Sequence, residues 1–452
     1  MLAYYFPPSK AAGTFRTLRF VRDLPEWGWR TRVLTVRPGT YSAADLDVNL
    51  LHKVPNDISV HRTSAPPWHR WFKTALLSMR NRLVGQPAPR AAAPRSAEKS
   101  AAVAAPARAS RRRSPTEWLY TLLRTPDVDA GWRFQATVRG LWLILRHRPQ
   151  VLYATGGPWT TFLVARDLSR LTRIPLVIDF RDPWAHNPAV HMRGGVLDAL
   201  ARRQEASVVR RACRIVANTD VLRDTLVQAH GAEVADRISV IHNSFDAADY
   251  ETPEPPTPAT LTLSYVGSLY EAHSPEPFLR ALQWLLQEHP ELRGAFRVRL
   301  VGSGAPRTSQ MVLGLGLDDV VEVASPVPHA EAVRIQRSSH VLLLFLTVAS
   351  DHSTFIPSKL FEYVAARRAV FAVTRGGALQ RILKTRNLTP WIFEPDDLQG
   401  MATGLREVVQ QHQRGSLPRF DDETVTSFSG RAAAQALSAV LDAACGPQTR
   451  PG

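Results

Sequence analysis

Short apolar runs that stop at glycine or polar turns, each followed by a segment of helical spacing, recur along most of this chain. That alternation restricts it to a parallel α/β architecture. Residues 31–36, 151–154, 175–180, 214–217 and 238–241 are such runs in the first half, with an opening strand at 1–6 and another at 58–61. Residues 261–266, 297–301, 320–323, 341–346, 369–374 and 391–393 repeat the pattern in the second half. Several runs are apolar throughout and turn polar only where they end, as 175–180 does at Arg181-Asp-Pro-Trp184. This is the signature of strands buried on both faces, whose carboxyl ends form the ligand-binding edge of an open sheet. Between the halves, residues 251–258 hold four prolines and read as a linker. The expected fold is two doubly wound, Rossmann-like domains facing across a cleft: 1–250, and 259–425 followed by a helix at 426–445.

The segment Pro357-Ser-Lys-Leu-Phe-Glu362 lies after the most apolar run of the second half. Pro357 suits the first helical position, and Ser358 and Lys359 follow in the first turn, so unpaired backbone N–H groups and an ammonium gather at the positive helix end. Glu362 stands roughly 5 Å further along the axis, where it can accept hydrogen bonds from hydroxyls attached to a phosphate held at that end. Phosphate followed by diol suggests a nucleotide. The alternative reading is an ordinary amphipathic helix with Lys359 and Glu362 as a solvated i,i+3 pair. Gly13 and Arg16, at a strand-to-helix turn of the first half, and Asp179 and Asp182, at the end of the run 175–180, are further candidates, as are the glycine turns Gly267-Ser268 and Gly302-Ser303. For Asp179, Arg181 and Asp182 the alternative is an ion pair that closes a loop.

The chain of 452 residues is long enough for two domains, and 44% hydrophobic with 21% charged residues is globular composition. No apolar run approaches the roughly 18 residues that cross a bilayer, and the N-terminus has no basic region of a signal peptide. The two cysteines and fourteen scattered histidines show no metal-ligand spacing, so no metal site and a reducing, cytoplasmic setting are expected. The net charge of +16 is local: residues 66–115 hold eleven Lys or Arg and one acid, ten of the sixteen excess charges. Within it, 68–83 reads as a basic amphipathic segment and 86–115 as a disordered insert, so 68–83 and the arginines of 108–113 are candidates for peripheral contact with an anionic membrane. Nucleic acid is disfavoured as partner because the aromatics sit at one end of the tract and no recognition fold accompanies them.

Taken together, Tyr4-Tyr-Phe-Pro-Pro8 with Gly13 and Arg16, Thr155-Gly-Gly-Pro158, Asp179-Phe-Arg-Asp-Pro-Trp184, Asn243-Ser-Phe-Asp246, Val266-Gly-Ser268, Val301-Gly-Ser-Gly304 and the Pro357–Ala365 segment resemble the GT-B fold glycosyltransferases, most nearly the retaining enzymes of glycosyltransferase family 4. The resemblance covers nearly all of the chain outside residues 66–115. It implies a nucleoside diphosphate-sugar donor in the C-terminal domain, an acceptor on the N-terminal domain, and a last helix that returns to the N-terminal domain. It implies that Glu362 holds the ribose, that Ser358, Lys359 and backbone N–H groups hold the diphosphate without a metal or other cofactor, and that Gly13 admits a close approach of the acceptor-side loop to the donor. Asp179 or Asp182 would orient a hydroxyl. The expected reaction is transfer of a hexose-type sugar, with retention, to a lipid-linked or cell-surface glycan. A small-molecule acceptor, or a non-catalytic sugar-nucleotide binder, is the alternative. Three positions depart from the family pattern: Thr354 replaces the usual glutamate eight residues before Glu362, only His273 follows the Gly267 turn where an Arg and a Lys are common, and Trp159 stands where a histidine is frequent.

Overall fold

The structure is a computed structural model that describes residues 1–66, 68, 125–186, 195–348 and 353–446. The basic amphipathic segment 68–83, apart from Trp68, and the insert 86–115 with its arginines at 108–113 lie outside the described residues. The chain divides into two compact units, the first comprising Met1–Ile241 with the chain's end from Ala434, the second His242–Ala433.

Unit 1 is a parallel sheet. Strands β1 (Arg32–Val36) and β2 (Ser59–Thr63) pair in register, as do β3 (Leu152–Thr155), β4 (Leu176–Phe180), β5 (Arg214–Ala217) and β6 (Ile238–Val240). The opening segment does not make a full strand. It contributes parallel bridges from Leu2 to Leu34 and to Ala154, with Leu2 N–H donating to the Tyr153 carbonyl at 2.7 Å and Ala3 N–H to that of Leu34 at 3.1 Å. These bridges join the pieces into the order β2-β1-Leu2-β3-β4-β5-β6. The sheet order reverses at Leu2, the switch point where open α/β sheets bind ligands. Helices α1 (Ala12–Asp23), α2 (Trp132–His147), α3 (Thr160–Thr172), α4 (Val196–Arg211) and α5 (Asp220–His230) cover this sheet. Thr219 caps α5 by accepting from the Leu222 N–H at 3.1 Å.

Unit 2 has six parallel strands: β7 (Leu261–Val266), β8 (Phe296–Val301), β9 (Val321–Ala324), β10 (Val341–Leu346), β11 (Ala369–Thr374) and β12 (Trp391–Phe393). Their order is β12-β11-β10-β7-β8-β9, the doubly wound arrangement with its switch point between β7 and β10. All six residues of β10, and all six of β11, are buried. Each such leucine or phenylalanine contributes about 1.5–3 kcal/mol on burial, so these strands are confined to the middle of the sheet. Helix α6 (Glu276–Glu288) buries Phe278, Leu279, Leu282, Leu285 and Leu286 on one face. After it come α7 (Ala305–Gly314), α8 (His329–Ser338), α9 (Ser358–Ala365), α10 (Gly377–Thr385) and α11 (Leu398–Gln413).

Two boundaries differ from the sequence reading. The segment 251–258 is fastened within unit 2, because the Arg337 guanidinium donates to the Thr252 carbonyl at 2.7 Å and both Arg368 and Arg419 pair with Glu254. A proline count cannot register such anchors. The C-terminal helical stretch is broken into α12 (Asp422–Ser427) and α13 (Gly430–Cys445). At the break the Phe245 N–H donates to the Phe428 carbonyl at 3.3 Å and the Gly430 N–H to that of Phe245 at 3.2 Å, while Ser429 Oγ caps the new helix through the Ala432 N–H at 3.1 Å.

The opposite, amino-terminal edge of this sheet holds a pH-sensitive contact. His340 Nδ1 accepts from the Thr262 N–H at 3.0 Å, and burial, followed by His412 and Arg368, lowers its pKa from 6.5 to about 4. The unfolded chain therefore binds this proton first. The contribution is fully present above pH 6.5 and is lost as pH falls towards about 4. Thermal unfolding scanned from pH 7 to 4 is expected to show a steeper loss for the parent than for His340→Asn, whose amide oxygen keeps the acceptor without titrating; parallel curves contradict this.

Candidate functional site

The candidate donor site lies in unit 2 at the carboxyl ends of β7, β8 and β10. Two glycine turns build its floor. Gly267 adopts φ +151° and Gly302 φ +156°, both left-handed conformations that disfavour side chains. A Cβ on Gly302 would lie 1.5 Å from the Gly267 carbonyl oxygen, and one on Gly304 2.3 Å from that of Leu269. The turns are thus packed backbone to backbone, locked by Gly267 N–H to the Val301 carbonyl at 2.8 Å and Leu269 N–H to that of Ser303 at 2.7 Å. Ser268 is half-buried and Ser303 exposed. The Tyr265 hydroxyl, rising from β7, donates to the Ser268 carbonyl at 2.9 Å and fixes the first turn.

Helix α9 supplies the charge. Pro357 is its N-cap rather than its first residue, with φ −58° and ψ 137°, and no side chain caps the helix. Its proline ring carries no N–H, so the open donors belong to the residues from Ser358 onwards. Ser358 is exposed and Lys359 half-buried. Lys359 lies over Gly267: a Cβ there would meet its Cε at 2.1 Å and Nζ at 2.3 Å. The ammonium is also 5.7 Å from the centroid of the Tyr265 ring. Sequence reasoning placed Lys359 on its helix, and the structure adds the glycine that makes room for it.

His273 does not act as a cation here. Its Nδ1 faces the Phe345 carbonyl at 2.7 Å, so this nitrogen carries the proton. Burial lowers its pKa, the Phe345 carbonyl opposes that, and neighbouring Lys359 lowers it further. The net lowering favours the neutral imidazole, in which Nε2 is an acceptor. Glu362, half-buried one turn beyond Ser358, accepts from Gln336 Nε2 of α8 at 2.9 Å through Oε2. No partner on Oε1 is recorded among the described residues. Gln336 itself is buried and its Oε1 lacks a partner. The sequence reading missed Gln336, though a glutamine within the buried stripe of Val333 and Ile335 was the available signal. Thr354, in place of a glutamate, is buried. Among the described residues Lys359 and Glu362 do not form the solvated ion pair of the plain helix reading.

In unit 1 the predicted residues divide differently. Arg16 and Asp179 are spent on each other. Arg16 Nε and Nη2 donate to the two Asp179 oxygens at 2.9 and 3.0 Å, and both side chains are buried. Arg16 also donates to the Ile241 carbonyl at 2.9 Å, and the Tyr153 hydroxyl to Asp179 at 2.5 Å. This fork ties α1 to three strand ends, so Asp179 is enclosed as an architectural anion and not presented to a substrate hydroxyl, and Arg16 is not presented to a ligand phosphate. Gly13 has a different partner from the one expected: the site of its Cβ is occupied by the Arg181 guanidinium, with Nη1 1.5 Å away. Arg181 donates to the Gly156 carbonyl at 2.6 Å and to that of Gly157, so it stitches the Gly13, Gly156 and β4 turns together. Asp182 is the carboxylate of this edge that solvent reaches. Protein atoms around it still desolvate it and raise its pKa, an effect Arg181 opposes. Trp159 stacks on Trp184 with centroids 5.7 Å apart and planes 6° from parallel, which fills the position of the absent histidine with an apolar wall. Gly13→Ala is expected to displace Arg181 and lower the unfolding temperature by several degrees; an unchanged temperature contradicts that packing.

Two doubly wound parallel units, the second with paired glycine turns facing a lysine at a helix start, define the GT-B fold of glycosyltransferases. Residues 100–249 match the family model Glycosyltransferase Family 4. Curated relatives include the D-inositol 3-phosphate glycosyltransferases of Kineococcus radiotolerans, 30% identical over 40% of this chain and 43% of the relative, and of Thermobifida fusca, 31% identical over 39% and 42%. The chain thus spans less than half the length of these relatives. Similar solved structures include Anabaena HepE in complex with UDP-glucose, with a TM-score of 0.57 and 15% identity over 97% of this chain and 98% of that one. The lipopolysaccharide outer core galactosyltransferase WaaB gives 0.58 and 10% over 97% and 98%. The chain is a GT-B fold protein similar to the glycosyltransferases of family 4.

Proposed function

We propose that this protein transfers a hexose-type sugar from a nucleoside diphosphate-sugar to a glycan or lipid-linked acceptor, with retention of configuration. The observation that carries the reading is Lys359 held over Gly267 at the start of α9, with Glu362 one turn along. The diphosphate would lie against the N–H groups of Ser358 and its neighbours, with the Lys359 ammonium offsetting the charge that grows on the leaving phosphate. A cation and a helix end suffice for this without a metal ion. Lys359 takes the duty that an Arg and a Lys share in related sequences, since burial and Lys359 itself disfavour a charged His273. The ribose hydroxyls would donate to Glu362, whose orientation Gln336 sets. With Thr354 buried in the place of a glutamate, the sugar would be held by the neutral His273 Nε2 and the Gly267-Ser268 turn. On unit 1, Asp182 would orient the acceptor hydroxyl.

Family resemblance supports the retaining outcome, and the lipopolysaccharide enzyme among the similar structures supports a lipid-linked acceptor. The curated relatives, named for D-inositol 3-phosphate, favour a second reading in which the acceptor is a small phosphorylated polyol. Peripheral attachment through 68–83 and 108–113 completes the first reading; among the described residues no helix is long and apolar enough to cross a membrane. Nucleoside diphosphate release, followed across a panel of donors with glycolipid extract or inositol phosphate as acceptor, tests the proposal. Release that depends on one donor and one acceptor class supports it. Donor binding without turnover on any acceptor leaves a non-catalytic sugar-nucleotide binder instead.

A further inference from the structure

Away from the donor site, three side chains from separate elements of unit 1 converge. His186 lies in the loop after β4, Glu205 in the middle of α4, and His230 at the last position of α5. His186 Nδ1 is 2.8 Å and His230 Nε2 2.9 Å from the same oxygen, Glu205 Oε1. The other oxygen accepts the Ala185 N–H at 2.6 Å. The three ligand atoms all lie within 4.8 Å of one another, and the ring centroids are 5.7 Å apart, edge to face. Intervals of nineteen and twenty-five residues between them match no metal motif, which is why the sequence reading found none.

We propose that His186, Glu205 and His230 form a site for one zinc-class divalent cation, which ties the loop carrying Asp182 to α4 and α5. Two imidazoles and a carboxylate are a zinc ligand set, and three protein ligands leave a fourth position for water. With bonds of about 2.0–2.1 Å, tetrahedral ligand atoms lie about 3.3 Å apart, so the two histidine–carboxylate contacts need to lengthen by about half an ångström and the two imidazole nitrogens, within 4.8 Å of each other, need to draw together. The carboxylate also calls for a cation. Glu205 is 1% exposed and is held by two imidazoles and one backbone N–H, with no Lys or Arg beside it among the described residues. The Ala185 N–H fixes the rotation of the carboxylate in the way outer-shell donors orient metal ligands. An entry path exists on one side, since the His186 side chain is 22% exposed whereas that of His230 is 8%. The site is separate from the donor-binding residues of unit 2, so its test does not depend on the proposed transfer.

The test uses full-length protein stripped with chelator. Cobalt(II) is titrated in and the visible spectrum recorded, then zinc is added and the zinc retained per chain is measured after gel filtration. The expected result is an intense four-coordinate cobalt spectrum, displaced by zinc, with one zinc retained per chain and a higher unfolding temperature. His186→Ala and Glu205→Gln are expected to lose the spectrum and lower zinc affinity at least tenfold. Glu205→Gln keeps a hydrogen-bonding amide between the rings, so its fold can be checked by circular dichroism. A parent protein with only the weak spectrum of six-coordinate cobalt, or equal zinc retention in parent and both variants, overturns the proposal. The first of these needs no variant to fold.

Discussion

Lys359→Ala is expected to lower kcat/KM for sugar transfer about 10²- to 10³-fold, the size of effect seen when one preorganised group facing a developing negative charge is removed. Its ammonium is held by the hollow above Gly267 and by the Tyr265 ring, so the charge is aimed before substrate arrives. Gly267→Ala is expected to act on the same step from the other side. The added Cβ would fall 2.1 Å from Lys359 Cε at a backbone φ of +151°, so the lysine must swing away and the turn must strain. The two changes made together should cost little more than either alone, because they remove one interaction. Initial rates of nucleoside diphosphate release at varied donor concentration check this. A Lys359→Ala protein within threefold of the parent, or fully additive losses, contradicts the role given to the lysine.

Asp179→Ala is expected to destabilise unit 1 by about 3–5 kcal/mol, the cost of leaving a buried guanidinium without its carboxylate. Arg16 is 3% exposed and Asp179 fully buried, so water cannot replace the lost partner. Tyr153 loses its acceptor as well. The paired change Arg16→Met with Asp179→Leu removes both charges and is expected to be less damaging than Asp179→Ala alone. Urea unfolding followed by tryptophan fluorescence measures it, and a single variant as stable as the parent rules out an architectural role for the pair.

Much of this fold is written locally. The apolar runs of β10 and β11 are legible because a strand covered on both faces needs nothing else, and the glycine turns after β7 and β8 announce themselves by position. Pairing across distance is not legible. Nothing near Asp179 in sequence reveals that Arg16, 163 residues away, takes both its oxygens, so a polar residue at a strand's carboxyl end looks catalytic until its partner is known. Arg181 against Gly13 is the same kind of fact: a glycine reads as a turn whether it bends the chain or makes room for a distant side chain. Glu362 and Lys359 were legible because helix geometry relates them within one turn. The state of His273 was not, since its proton is placed by a carbonyl on β10.

Unit 2 is proposed to bind a nucleoside diphosphate through Lys359, Glu362 and the start of α9 without a metal ion. Calorimetric titration of the parent with UDP, GDP and ADP, in buffer containing chelator, tests it most directly. The expected result is saturable one-to-one binding of one of these nucleotides, unchanged by chelator and weakened at least tenfold in Lys359→Ala and in Glu362→Ala. Binding that vanishes with chelator, or that neither substitution alters, would contradict it.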